Sequence, residues 1–226
     1  MLKAQIQWLG ANMKPIILAV ALSFGAVQAS AHEIDWKPYA GAAVSQNQFD
    51  RWAIGISDDG GFNGGGSSDE KGTGLGLVAG FEPTEHFGFE VGYHDFGEAG
   101  FVAQSDGSGT TWAAGPVAHT LSFKSVDASL IGRLPVTGEW GVFGRVGISY
   151  YDAEWTLAGT LQPSTPASGT VGENKDNSPM FGAGVEYRGF GAWSLVASYL
   201  TRNFERPNTA EESKVTSISM SAVYRW

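Results

Sequence analysis

Cysteine is absent from this chain of 226 residues, so disulfide bonds contribute nothing to its stability. Long apolar runs are absent too: outside the N-terminus, no segment approaches the roughly 20 residues that a transmembrane helix needs. Methionine is rare, with four residues. These absences argue against a disulfide scaffold and against a helical membrane protein.

The N-terminus has the pattern of a removable secretory signal. Lys14 precedes a run of 13 mostly apolar residues, 15–27, and a small-x-small cleavage site follows at Ala29-Ser30-Ala31. The run is too short to cross a bilayer as a helix. We therefore expect residues 1–31 to be a cleaved signal peptide and residues 32–226 to be one exported domain, with Met1 or Met13 as alternative starts.

The composition of the exported part narrows its class. Without Lys3 and Lys14 it carries 12 basic and 23 acidic residues, a net charge of −11, which excludes nucleic acid as a partner. Glycine and aromatic residues are abundant, at 32 and 28 in the whole chain. The mean hydropathy of −0.10 is close to neutral, as expected when only every second residue of a strand faces lipid.

The last thirteen residues alternate strictly in character. Because successive side chains of a strand point to opposite faces, residues 214–226 predict one hydroxyl-rich face and one apolar face that ends on aromatic residues. The hydroxyl-rich face contains Ser217, Ser219, Ser221 and Arg225, and the apolar face contains Thr216, Ile218, Met220, Ala222, Tyr224 and Trp226. This pattern is typical of a strand that crosses an outer membrane.

Seven further segments share this alternation. Together with the last one, the predicted strands are 38–49, 72–81, 87–94, 120–134, 142–151, 181–188, 193–202 and 214–226. Short turns are expected near 83–86, 135–139 and 189–191, and long polar loops near 50–71, 104–116, 158–178 and 205–213. Alternating short and long connections are typical of an up-and-down barrel with both termini at the periplasmic side.

The predicted fold is therefore all-β: an eight-stranded antiparallel up-and-down transmembrane β-barrel. A soluble ligand-binding barrel similar to a lipocalin is the competing interpretation, and it would need an apolar interior. Here the polar faces alternate with aromatic-rich apolar faces that have no burial partner other than lipid.

Four short segments give a family resemblance: YAGA at 39–42, FGFEVGY at 87–93, GRVG at 144–147 and FGAGVEY at 181–187. In their order, spacing and phase, residues 36–226 resemble the OmpA-like family of small outer-membrane barrels. The resemblance implies a bacterial outer-membrane location and insertion by the barrel-assembly machinery, which reads a terminal aromatic signal, here Tyr224 and Trp226. The periplasmic peptidoglycan-binding domain of OmpA is not expected.

Seven charged residues are predicted to face the lumen, because a basic group facing lipid at midplane depth costs about 2 to 4 kcal/mol. They must pair to offset the cost of desolvation. The predicted luminal ion-pair network contains Glu90, Asp127, Arg133, Arg145, Glu186, Arg188 and Arg202. One interpretation is that these pairs only fill the core and specify the strand register.

The family resemblance implies a second interpretation of the same residues. In OmpA-like barrels, an exchange of luminal Glu and Arg partners is associated with opening and closing a narrow conduit. Glu90, Arg145, Glu186 and Arg202 occupy comparable strand positions. A porin-like conduit gated by luminal ion pairs is therefore the alternative function.

Catalysis is not predicted. His94, His119 and Ser122 lie near predicted strand ends, but no third group is spaced to orient a nucleophile and base, and histidines there are more often rim residues. The carboxylates of the first loop, from Asp58 to Glu70, lack the ligand spacing of a calcium loop. No cofactor or metal is expected.

The predicted function is thus a non-enzymatic outer-membrane protein with a structural or surface-interaction role carried by mobile external loops, including 161–179. The expected partners are outer-membrane lipid and lipopolysaccharide, the barrel-assembly machinery and extracellular ligands bound by the loops. The protein is expected to be a monomer.

The terminal aromatic yields a direct test. Deleting Trp226 should lower the amount of folded protein in the outer-membrane fraction, as measured by immunoblot of unheated samples, because the assembly signal is lost. Trp226→Phe keeps an aromatic terminus and should restore the wild-type level. Equal levels of the deletion variant and the wild type would contradict the hypothesis.

Overall fold

The computed structural model describes residues 36–50, 66–205 and 212–226. Nine antiparallel strands lie in these ranges, and they form a single sheet. The strands are β1 (Lys37–Asp50), β2 (Ser67–Asp69), β3 (Lys71–Glu82), β4 (Phe87–Ser105), β5 (Gly115–Pro135), β6 (Trp140–Leu161), β7 (Thr165–Phe190), β8 (Trp193–Glu205) and β9 (Glu212–Arg225).

Eight of these strands close into a barrel. Each pairs with its neighbour along the chain, and the ring closes where β1 pairs with β9, from Tyr39 opposite Arg225 to Asp50 opposite Lys214. The ninth strand, β2, precedes β3 in the chain and is separated from it by Glu70. It pairs with β4 at Gly100–Val102 and so extends the line of β3 beyond the start of that strand. The predicted eight-stranded barrel is confirmed.

The outer face of the barrel is an apolar band. Leu75, Val146 and Ile218 are 69%, 54% and 64% exposed, and they lie on different strands with the same phase. A continuous exposed apolar surface of this extent requires lipid around it. Since the interior is polar over the same depth, the lipocalin-like interpretation is excluded. Within the described residues, no helix is long and apolar enough to cross a membrane.

Glycines on the inner wall make room for large neighbouring side chains. A Cβ on Gly76 would lie 2.6 Å from Nδ1 of His94, and one on Gly92 would lie 2.7 Å from its Nε2. His94 therefore occupies space in the lumen that alanine on either side would close. The prediction of His94 as a rim residue is wrong, because its side chain is only 12% exposed.

A row of alternating charges marks one edge of the apolar band. Asp95, Lys124, Asp152 and Lys175 lie directly opposite one another on β4 to β7. Nζ of Lys124 is 3.6 Å from Oδ2 of Asp95, and Nζ of Lys175 is 3.0 Å from Oδ2 of Asp152. The row lies one step beyond Tyr93 and Tyr150, the last outward aromatic residues of β4 and β6.

Four strands continue well past this row. We call the segments 96–105 of β4, 115–123 of β5, 153–161 of β6 and 165–174 of β7 the strand extension. The predicted loop at 158–178, described as mobile over 161–179, is wrong: β6 and β7 pair from Leu161 opposite Thr165, and only 162–164 form the turn. Away from lipid the outer face of a strand can be polar, so the apolar alternation ends before the strand does.

The predicted loop at 104–116 agrees with the connection that the structure shows at 106–114. The predicted loop at 50–71 is partly wrong, because Ser67–Asp69 is a strand and β3 begins at Lys71. Residues 51–65 of this loop and residues 206–211 of the loop at 205–213 lie outside the described residues, as do the signal peptide at 1–31 and the first-loop residues Asp58 and Asp59.

The connection 106–114 is bound to the β6–β7 turn. Nε2 of Gln162 donates to the carbonyl oxygens of Gly107, Gly109 and Trp112 at 2.8, 2.7 and 3.2 Å. The backbone amide of Gln162 donates to the carbonyl of Thr111 at 3.0 Å. These bonds fasten two connections into one unit, which we call the fastened tip (106–114 with 162–164).

Gln162→Ala should loosen the fastened tip and leave the barrel folded. Each lost hydrogen bond contributes about 1 kcal/mol net, so hydrogen exchange of residues 106–114 should accelerate by roughly tenfold or more. The measurement is hydrogen exchange followed by mass spectrometry. Gln104→Ala, an exposed glutamine of β4, is the matched control. Unchanged exchange in the Gln162 variant would contradict the fastening role.

Candidate functional site

Inward-facing side chains fill the lumen in four successive layers. We number them from the end of the barrel that carries the short turns 83–86, 136–139 and 191–192, the short-turn end. The first three layers are built on charged groups, and the fourth is aromatic. Period-two alternation places each group inside, because β1 and β3 to β9 all direct the side chains of their inner face into the same space.

The first layer is the turn-end cluster of Glu82, Arg133, Glu186, Arg188 and Arg225. Oε1 of Glu82 lies 3.3 Å from Nη2 of Arg133, 3.2 Å from Nη2 of Arg188 and 3.2 Å from Nε of Arg225. Glu186 accepts from Arg188 at 2.8 Å and also pairs with Arg225. Two carboxylates are thus shared among three guanidinium groups.

The second layer is a single buried pair. Nη2 of Arg145 lies 2.7 Å from Oε1 of Glu90, and the Tyr39 hydroxyl donates to Oε2 of Glu90 at 3.0 Å. Glu90 and Arg145 are 7% and 8% exposed. Both oxygens of the carboxylate therefore have partners, as a buried charge requires.

The third layer is centred on Asp127. Nη1 of Arg202 donates to Oδ1 and Oδ2 at 3.2 and 3.1 Å, and Oδ1 also accepts from Ser149 at 2.6 Å and from Ser125 at 2.9 Å. Nε2 of His94 lies 3.4 Å from Oδ2. Arg202 is 1% exposed, so the carboxylate and the guanidinium are both removed from water and neutralise each other.

The fourth layer is an aromatic plug. It is made of six side chains from β1, β4, β5, β6 and β8, each at most 3% exposed: Phe49, Phe96, Phe123, Tyr151, Trp155 and Phe204. Phe123 lies at the centre, with its ring centroid 5.2 Å from that of Phe204, 5.3 Å from that of Phe96 and 5.4 Å from that of Tyr151. The guanidinium carbon of Arg202 lies 4.5 Å from the centre of the Phe96 ring, which joins the third layer to the plug.

The structure brings the seven predicted luminal residues into three separate groups. Arg133, Glu186 and Arg188 lie in the first layer, Glu90 and Arg145 in the second, and Asp127 and Arg202 in the third. Glu186 and Arg202 are not partners of each other.

Sequence reasoning missed four participants: Tyr39, Glu82, His94 and Arg225. Each has the inward phase of its strand, so the same alternation contained the signal. Glu82 lies one residue beyond the predicted strand 72–81, and Arg225 lies on the hydroxyl-rich face of the last predicted strand.

The groups weighed for catalysis are not brought together. Ser122 lies on the outer face, where its hydroxyl donates to Glu98 at 3.3 Å, whereas His119 has the inward phase of the same strand. In the part of the chain that the structure describes, no three acidic, histidine or cysteine side chains converge to hold a metal ion.

Comparison of the structure with solved structures finds several barrels. OprG of Pseudomonas aeruginosa superposes with a TM-score of 0.51 at 12% identity, covering 87% of this chain and 98% of OprG. Ail of Yersinia pestis, crystallised with the heparin analogue sucrose octasulfate, gives 0.49 at 14%, covering 84% and 99%. Neisserial surface protein A gives 0.48 at 14%, covering 84% and 97%. At these identities, the likeness to OprG establishes the fold.

The sequence itself gives the family. No curated protein matches it, but the family described as "Outer membrane protein beta-barrel domain" matches residues 17–225. The chain therefore belongs to the outer membrane protein β-barrel family, and its location is the bacterial outer membrane.

Proposed function

We propose that this protein is a sealed, non-enzymatic outer-membrane barrel that presents its strand extension and fastened tip outside the cell for a structural or surface-interaction role. The short-turn end faces the periplasm in this orientation, as short turns do in bacterial outer-membrane barrels. The observation that carries the proposal is the aromatic plug.

The plug supports a closed lumen on physical grounds. An eight-stranded barrel is only just wide enough for its own side chains, and here six aromatic side chains from five strands pack together with Phe123 at their centre. A passage would require several of these rings to move together. Below the plug, the ion-paired side chains also fill the cross-section of the lumen.

The strand extension supports a role at the surface. Backbone pairing holds β4 to β7 beyond the charge row, and Gln162 holds their connections together. Such a surface is preorganised, so a ligand that binds it loses little entropy of ordering. A scaffold that positions its connecting segments rigidly is a common arrangement for recognition.

The outer surface of the barrel supports membrane and assembly partners. The paired charges of Asp95, Lys124, Asp152 and Lys175 lie where lipid or lipopolysaccharide headgroups would meet the barrel. At the other edge of the band, Trp193, Tyr224 and Trp226 form an aromatic group with centroid distances of 5.2 and 5.3 Å. We propose this group as the aromatic part of the assembly signal, in a barrel that acts as a monomer.

A narrow conduit gated by luminal ion pairs is the second candidate. The observation that favours it is a cavity of about 30 Å³ lined by Glu90, Arg145 and residues of the turn-end cluster. This volume has room for about two water molecules, so the pairs of the first two layers border solvent-sized space on the periplasmic side of the plug.

Planar-bilayer recordings separate the two candidates. The purified, refolded wild-type protein should be silent, and so should Glu90→Ala, because the plug remains. The double variant Phe123→Ala, Phe204→Ala should show discrete openings, since two central rings are removed. Phe89→Ala, Phe181→Ala, which removes two outward rings, is the matched control and should stay silent. Openings of the wild type that change with Glu90→Ala alone would favour the gated conduit.

Glu90→Ala also tests the energetic role of the second layer. Removing one partner of a buried pair leaves Arg145 uncompensated and typically destabilises a protein by about 3 to 5 kcal/mol. The urea midpoint for unfolding in detergent should fall accordingly, whereas Glu98→Ala, on the exposed outer face, should change it little. An unchanged midpoint would remove Glu90 from the network.

A further inference from the structure

The charges inside the barrel do not balance. Among the residues that the structure describes, five arginines and four acids are inward-facing and at least half-buried between the turns and the aromatic plug: Arg133, Arg145, Arg188, Arg202 and Arg225 against Glu82, Glu90, Asp127 and Glu186. His94 beside Asp127 adds no negative charge. The lumen therefore holds one positive charge in excess.

The excess lies at the turn-end cluster. Asp127 and Arg202 neutralise each other in the third layer, as Glu90 and Arg145 do in the second. In the first layer, three arginines share two carboxylates. A net charge in a partly desolvated site is costly unless a counter-charge lies beside it.

Buried guanidinium nitrogens without a hydrogen-bond partner lie in two places. Nε and Nη2 of Arg202 belong to the third layer, where the guanidinium carbon lies 4.5 Å from the centre of the Phe96 ring, and the others lie beside the turn-end cluster. Nε and Nη1 of Arg133 and Nε of Arg145 are buried and have no hydrogen-bond partner in the part of the chain that the structure describes. The two side chains are 9% and 8% exposed. The nearest carboxylate oxygen that pairs with Nε of Arg133 is 3.6 Å away, on Glu186, too far for a hydrogen bond. Because a guanidinium group can only donate, these positions require an acceptor.

Arg133, Arg145 and Arg225 all line the cavity of about 30 Å³, together with Glu90 and Glu186 and with the serines Ser198, Ser219 and Ser221. Space for about two water molecules also suits one monatomic anion. Larger anions such as gluconate do not fit. The cavity thus combines a single excess positive charge, buried donors and the volume of one small ion.

We propose that the lumen binds one small monovalent anion, chloride or another halide, between Arg133 and Arg145. The anion accepts hydrogen bonds from the guanidinium groups and neutralises the excess charge of the turn-end cluster. It enters from the periplasmic mouth, where the side chain of Arg188 is 33% exposed, and it stays beneath the aromatic plug. It is a structural ligand of the folded barrel.

The test is unfolding in urea of the refolded protein in a nonionic detergent, at constant pH and ionic strength, with sodium chloride exchanged stepwise for sodium gluconate. A ligand that binds only the folded state raises its stability with concentration. The unfolding midpoint of the wild type should rise with chloride or bromide and follow a single-site dependence. Equal midpoints in chloride and gluconate would overturn the proposal and leave water in the cavity.

Arg133→Gln tests the location. The variant leaves four arginines and four acids in the lumen, so it has no excess charge to neutralise, and the difference between chloride and gluconate should vanish. Lys124→Gln removes one positive charge from the outer face and should keep the wild-type difference. A difference that persists in Arg133→Gln, or that disappears in Lys124→Gln, would contradict the site.

A second measurement applies if Arg133→Gln does not fold. Crystals of the wild-type protein grown in sodium bromide should show an anomalous scattering peak inside the cavity, within hydrogen-bonding distance of the Arg133 and Arg145 guanidinium groups. A cavity without a bromide peak would overturn the proposal independently of the variant.

Discussion

Closure of the sheet is the constraint on which the rest of this structure depends. Lipid offers no partner to backbone N–H and C=O groups, so strands can span the membrane only when their ladder has no free edge. Here the ring is completed by the pairing of β1 with β9. Eight strands leave an interior just wide enough for side chains. Polar and charged groups that the alternation directs inward must therefore find hydrogen-bond or ion-pair partners inside the lumen.

This requirement explains why the luminal charges form layers across distant strands. Glu82 of β3 contacts Arg225 of β9, and Asp127 of β5 contacts Arg202 of β8. Apolar residues on the lipid face would tolerate a shift of two residues between neighbouring strands, because any apolar side chain suits lipid. The charged pairs would not tolerate it, since a shift would leave an arginine without its carboxylate. The luminal ion pairs therefore specify the register between strands, which the lipid-facing residues alone do not determine.

The alternation of the sequence was sufficient to predict the eight strands and the inward phase of all seven charged residues, because lipid demands an apolar side chain at every second position. The alternation does not predict the strand segments outside the lipid, where an outer face can be polar. Residues 165–178 are strand, yet their polar outer face resembles a loop. The alternation also does not predict which inward-facing residues pair with each other, because that depends on how the strands tilt and stagger around the barrel. Glu82 illustrates both limits, since it is the last residue of β3 and pairs with Arg133 and Arg225 on other strands.

The charged layers and the aromatic plug differ in how easily their contacts could rearrange. Ion pairs can exchange partners at modest cost when water or another charge replaces the lost contact, and the cavity beside Glu90 and Arg145 offers such space. The aromatic plug has no comparable alternative contacts, because its rings are held by strands from around the barrel and are buried away from water. Rearranging the charged layers would thus leave Phe123 and its neighbours in place. A barrel closed in this way fits the proposed recognition through its outer surfaces and strand extension, and the proposed anion site in its interior, better than it fits a route through the membrane.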